Sequence, residues 1–191
     1  MIASGTALYR VHRNTREGTV FNPGVGSRTR FAFFGDPPVP SLYAADTEIA
    51  ALAETLLHDI PVTGGLLPLD SYAPYVLSLI RPRRPLRLAS FLGTGLRRLR
   101  VGASDLTTTE ASEYPRTVRW AEAAHAAGFD GVAYMSRQMN TSRAVALFGD
   151  RVTSSDLEVD PGYGRAFAIP SGGRDWLIDV CAPMHVDVLL A

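Results

Sequence analysis

The chain has 191 residues, 46% hydrophobic and 20% charged, which is enough for one domain with a proper core. Its formal net charge is zero, which argues against a general nucleic-acid binder, because such proteins need a basic face. One cysteine, Cys181, excludes an internal disulfide framework and a cysteine-pair metal site, and no apolar run is long enough to span a bilayer.

The opening "MIASGTALYRVHR" has no basic start followed by an apolar stretch, so no secretory signal is expected and a cytoplasmic location is the default. Every basic residue is arginine and none is lysine. A composition bias of the genome is a sufficient cause. The consequence is chemical all the same: no Schiff-base or phosphate-loop lysine exists, and any phosphate held by a side-chain cation must be held by the planar fork of arginine.

Residues 7 to 12, "ALYRVH", alternate like a strand, with Leu8, Arg10 and His12 on one face. The following "RNTREGTVFNPGVGSRTRF" is rich in Gly, Asn, Pro and Arg and predicts a long loop, a common place for binding residues. "SLYAA", 41 to 45, is a short strand. Asp46 or Thr47 can cap the next helix, whose apolar stripe runs through Ile49, Leu52, Ala53, Leu56 and Leu57, with Glu54 on its flank. "YVLSLI", 75 to 80, and "PLRLASFLG", 85 to 93, are further strand candidates. Pro115 opens a helix that Gly128 closes. "DGVAYMS", 130 to 136, is a strand with Val132, Tyr134 and Ser136 on one face, and "RAVALFG", 143 to 149, is another. The tail from Arg174 is apolar enough to pack but ambiguous in type. The mixture predicts an α+β (mixed α/β) fold with a modest sheet. No GxGxxG follows a strand, so a doubly wound dinucleotide fold is unsupported.

Several residues carry possible chemistry, and each has a plain structural alternative. Glu54 is either a solvated helix glutamate or a half-buried carboxylate able to stabilise a developing positive charge. Arg10 is either an edge-strand arginine in water or an inward one that needs an anion. Arg30 and Arg28 are either solvated loop residues or phosphate ligands. Tyr43 either fills the core or stacks on a flat heterocycle. Ser136 either terminates a strand or binds a ribose or phosphate. The four histidines, His12, His58, His125 and His185, show no metal-ligand spacing, and no GxSxG occurs.

Taken in order, these stretches resemble the RES domain family. "LYRVHR" is similar to its opening strand and places its arginine at Arg10. "GVGSRTRF" is similar to its Gly-rich segment ending in Arg-Phe, at Arg30 and Phe31, although Arg28 adds a second arginine nearby. "PSLYAADTEIAALAETLLHD" supplies Tyr43 and Glu54. "AAGFDGVAYMSRQMNTSRAVALFGD" resembles the closing segment, with Ser136 before an extended "VALF". The pattern is clearest over 6–58 and 126–150 of a single domain expected over 1–191. It is faint over 60–115 and past 155.

The resemblance implies an ADP-ribosyltransferase-like split sheet with a cleft for NAD as substrate, and no metal. It implies cleavage of the nicotinamide–ribose bond by a glycohydrolase, phosphorylase or ADP-ribosyltransferase. Glu54, Arg10 and Tyr43 would be catalytic, and Arg10, Arg30, Tyr43 and Ser136 would bind NAD. It further implies a toxin neutralised by an Xre-type helix-turn-helix antitoxin, with a homo-oligomer possible within the complex, and with neither direct nucleic-acid nor membrane binding. A catalytically inactive RES-like module that only binds a nucleotide or partner is the alternative. An unrelated nucleotide hydrolase using Glu54 as general base is a third reading.

Overall fold

The computed structural model describes residues 1–191. In chain order the elements are β1 (Leu8–Arg13), β2 (Ser41–Ala45), α1 (Glu48–Ala53), β3 (Gly65–Leu67), α2 (Leu69–Tyr72), β4 (Tyr75–Pro82), β5 (Leu88–Phe91), α3 (Thr94–Leu99), α4 (Ala103–Leu106), α5 (Tyr114–Ala126), β6 (Gly131–Met135), β7 (Arg143–Phe148), β8 (Leu157–Ala166), α6 (Asp175–Cys181) and β9 (Val186–Val188). The fold is mixed α/β, as the alternation of strand and helix patterns predicts. No helix is long and apolar enough to cross a membrane.

Seven strands form one sheet in the order β5-β6-β7-β2-β1-β4-β8, and β3 and β9 make a separate parallel pair. All neighbours in the large sheet are antiparallel except β5 and β6. The join between β1 and β2 is the weak point. It has a single register pair, Tyr9 with Ala45, whereas β1 pairs with β4 over six residues and β2 with β7 over five. The sheet is therefore split into a four-stranded half, β5-β6-β7-β2, and a three-stranded half, β1-β4-β8. The diverging strands leave room between them for a cleft.

Two apolar clusters hold the halves together. The larger packs Leu52, Leu77, Val132, Tyr134, Phe148 and Phe167 among others; the smaller gathers Leu8, Leu42, Ile80, Leu86 and Leu147. In α5 the buried positions Tyr114, Thr117, Val118, Ala121 and Ala124 recur at helical spacing, and this face lies on β6. Gly128 ends that segment with φ +81, a backbone state open to glycine at no steric cost.

Helix α1 differs from its sequence reading. The stripe through Leu57 predicts about three turns, but the helix is six residues long and Ile49 is 36% exposed. After Ala53 the Thr55 N–H bonds back to Leu52 O at 3.1 Å, so the chain tightens into a turn. Glu54 thus sits at the helix end and not on its flank. The start is as expected: Thr47 is the N-cap, its Oγ1 accepting the Ala50 N–H at 3.2 Å. Several elements were not readable as regular structure. The long edge strand β8 carries Pro161 and Gly162 in its middle, which a sheet tolerates only at an edge, and the tail resolves into α6 and β9.

Replacing Thr47 with Ala should lower stability by about 1 kcal/mol through the lost cap, or roughly 2–4 °C in melting temperature. Thermal unfolding followed by circular dichroism checks this. An unchanged midpoint would mean that tertiary packing alone holds α1.

Candidate active site

A cleft of ≈ 320 Å³ opens where the sheet splits. Arg10 of β1 and Tyr43 of β2 face it from the two diverging strands. Arg30 comes from the long loop, Glu54 from the end of α1, and Tyr134 from β6. The split places on one wall residues that are far apart in sequence.

The glutamate is the most tightly fixed of these groups. Tyr134 donates its phenolic proton to Glu54 Oε2 at 2.8 Å. Ser136 donates to Oε1 at 2.7 Å, and the Arg137 backbone N–H donates to the same oxygen at 3.2 Å. Three donors from the end of β6 therefore hold one carboxylate. Burial is the first cause of the strongly raised pKa of Tyr134, and the Glu54 charge adds to it, so the phenol stays a donor.

The arginines are held differently. Arg10 donates from Nη1 to the Gly18 carbonyl at 2.7 Å. Arg30 is 5% exposed, donates from Nη2 to Thr109 O at 3.3 Å, and lies over the Tyr114 ring at 5.6 Å. The Arg30 Nε is buried without a partner. Neither guanidinium makes an ion pair with any carboxylate. Burial, together with the nearby Arg16, lowers the Arg10 pKa to about 10, which still leaves a cation at neutral pH. Two enclosed positive charges with only carbonyls for partners are costly unless an anion completes them.

Tyr43 has its polar end tied back. It accepts the Phe31 N–H at 3.2 Å and contacts Thr29 Oγ1 at 2.7 Å. Burial raises the phenol to about pKa 12, so it stays neutral and offers the cleft its ring.

The model of the family described as "RES domain" matches residues 7–168. The chain belongs to the RES domain family. A search of curated proteins found no match. Among solved structures the chain is similar to a toxin seen in the crystal structure of the M. tuberculosis MbcT–MbcA toxin–antitoxin complex. That match has a TM-score of 0.60 at 15% identity and covers 95% of this chain and 91% of the other. At that identity the likeness establishes a shared fold.

Within this RES domain the structure brings Arg10, Arg30, Tyr43 and Glu54 to one cleft. Arg28 is exposed on the loop and does not line it. Ser136, which the resemblance implies as an NAD ligand, is 1% exposed and is not among the residues lining the cleft. Its one proton goes to Glu54, and its oxygen accepts the Met139 N–H at 3.1 Å. A single hydroxyl so engaged positions Glu54 and has no proton left for a ligand. Sequence reasoning missed Tyr134, Tyr114 and His58, all of which line the cleft. Only Tyr134 left a signal, as a neighbour of Ser136 on one strand face.

Removing the Ser136 hydroxyl with Ser136→Ala should cost about 1.5–3 kcal/mol, as for a hydrogen bond to a charged group. In a double-mutant cycle with Glu54→Gln, measured by urea unfolding, a coupling of about 0.5–3 kcal/mol is expected. Strict additivity would show that the serine does not support the carboxylate.

Proposed function

We propose that the cleft binds NAD and cleaves its nicotinamide–ribose bond. One observation carries this reading: two enclosed guanidiniums without a carboxylate partner stand in the same cleft as a single carboxylate gripped by three donors. A dinucleotide needs both features. Its diphosphate supplies the anion that Arg10 and Arg30 lack, through the charge-assisted contacts arginine makes best. Its flat base suits the Tyr43 ring that lines the cleft.

The chemistry follows from the substrate's charge. As the glycosidic bond breaks, its electron pair moves to the nicotinamide ring nitrogen, which is already cationic, so the base leaves neutral without a general acid. Positive charge develops at the ribose carbon. Glu54 stabilises it, and because its donors already fix it, little reorganisation is needed as the charge appears. Tyr134 and Ser136 keep the carboxylate aimed. An acceptor then takes the ADP-ribose: water, phosphate or a protein side chain.

The biological role is inferred from kinship. The structural neighbour is part of a toxin–antitoxin complex. We carry the toxin role to this RES protein, with a cytoplasmic site of action on NAD. A cognate antitoxin of the Xre type would cover the cleft. The other reading, an inactive module that only binds a nucleotide or partner, is disfavoured by the three-donor grip on Glu54, since simple anion binding has no use for a fixed carboxylate beside the cations.

Incubating purified protein with NAD and measuring free nicotinamide tests the reading. Glu54→Gln should lose roughly 100- to 1000-fold in turnover while keeping its circular dichroism spectrum. Near-normal cleavage by that variant would refute the assigned role, and no cleavage by the parent chain would favour the binding module.

A further inference from the structure

Glu54 is committed. Its Oε1 accepts two hydrogen bonds and its Oε2 one, which leaves it little capacity beyond facing the sugar carbon. An acceptor that attacks through an O–H must still lose a proton somewhere else. A second set of side chains crosses the cleft wall and is suited to take it. His58 and Tyr114 line both the cleft and an outer basin of ≈ 410 Å³. His58 Nε2 lies 3.1 Å from the Tyr114 hydroxyl, and its Nδ1 lies 2.7 Å from Asp59 Oδ1.

A carboxylate only accepts, so Asp59 fixes the neutral ring's proton on Nδ1 and leaves Nε2 as the acceptor of the Tyr114 proton. Asp59 is 93% exposed, so the outer end of the chain is in bulk water. Burial is the main cause of the raised Tyr114 pKa, so the phenol passes a proton on and does not rest as an anion.

We propose that Tyr114, His58 and Asp59 form a proton-exit chain for the incoming acceptor. This rests on the NAD-cleavage reading and narrows the acceptor to a protic one, water or another hydroxyl. The bond from the ribose carbon to nicotinamide breaks with its electron pair leaving on the base. The acceptor oxygen bonds to that carbon. Its proton moves to the Tyr114 oxygen as the Tyr114 proton moves to His58 Nε2. The imidazolium, held by Asp59, then releases a proton to water. The balance is NAD plus hydroxyl giving nicotinamide, the ADP-ribosylated acceptor and one proton.

The charges facing His58 are Asp59 from its own segment, Glu110 and Arg137 across the outer basin, and Arg30 and Glu54 within the cleft. Arg137 and Glu110 neutralise each other at 2.6 Å, and Arg30 is turned to Thr109 O. Asp59 is thus the one unpaired carboxylate in contact with the ring.

The test uses the full chain, NAD, and two acceptors: water, which must lose a proton, and azide, an anion with none to lose. Nicotinamide release is measured, and products are identified by mass spectrometry. His58→Ala and Tyr114→Phe should each lose roughly 100- to 10,000-fold with water, the usual contribution of positioned acid–base groups. Azide should restore both variants to near the parent rate, giving ADP-ribosyl azide, which a variant damaged only in structure would not do. Tyr114→Phe keeps the test open should His58→Ala fail to fold. Unchanged water rates in both variants, or no rescue by azide, would overturn the chain while leaving NAD cleavage intact. Parent release with azide but not water would do the same. No release by the parent with either acceptor would overturn the cleavage reading and this inference with it.

Discussion

The grip of β6 on Glu54 is the constraint on which the site depends. A carboxylate at the end of a short helix beside a cleft would ordinarily sample many rotamers or turn to water. Here Tyr134, Ser136 and the Arg137 backbone N–H occupy it from one direction. That fixes the remaining face toward the cleft, where Arg10, Arg30 and Tyr43 stand. Fixed dipoles and charges act strongly where water is sparse, because they need not reorient as charge develops. The serine therefore matters through what it aims.

The cations complement this arrangement by being left incomplete. Some arginines elsewhere are paired: Arg84 with Asp130 and Asp156, Arg83 with Glu158, Arg137 with Glu110. Arg10 and Arg30 instead meet only the carbonyls of Gly18 and Thr109. A carbonyl dipole steers a guanidinium without cancelling its charge. The fold thus retains two enclosed positive charges at a cost in stability, the kind of local conflict expected at a functional site. Arg87 and Arg151 also meet only carbonyls, so what sets Arg10 and Arg30 apart is that both line the cleft with Glu54.

Much of this was legible along the chain, and the limits have physical causes. The short strands β2, β6 and β7 and the start of α1 announce themselves by alternation and by the Thr47 cap. Strand β8 does not, because Pro161 and Gly162 look like a turn and only its edge position makes them tolerable. Arg10, Arg30, Tyr43 and Glu54 could be picked out because each lies in a stretch with its own pattern. Choosing Arg30 over Arg28 needed the structure, since no periodicity operates on an irregular loop. That Ser136 supports Glu54 could not be read from the sequence, because its partner lies more than eighty residues away. His58 was passed over for the same kind of reason: its Tyr114 contact is made only by the fold.

Helix α1 also explains how a sheet joined by one register pair keeps a defined cleft. Its two glutamates reach opposite halves. Glu48, in the first turn, bonds the Tyr163 hydroxyl and lies 3.6 Å from Arg165, both on β8 of the three-stranded half. Glu54, at the other end, is held by Tyr134 of β6 and by Ser136 just beyond it, in the four-stranded half. Six helical residues thus straddle the split, with buried Ala50, Ala51, Leu52 and Ala53 against the sheet. The small alanines let the helix lie close, and the polar contacts at its ends set its position along the gap. The carboxylate at the cleft is therefore part of the brace that sets the distance between the two walls. The same short helix explains why Glu54 can be both fixed and reachable: a longer one, as the apolar stripe suggested, would have carried the chain across the opening.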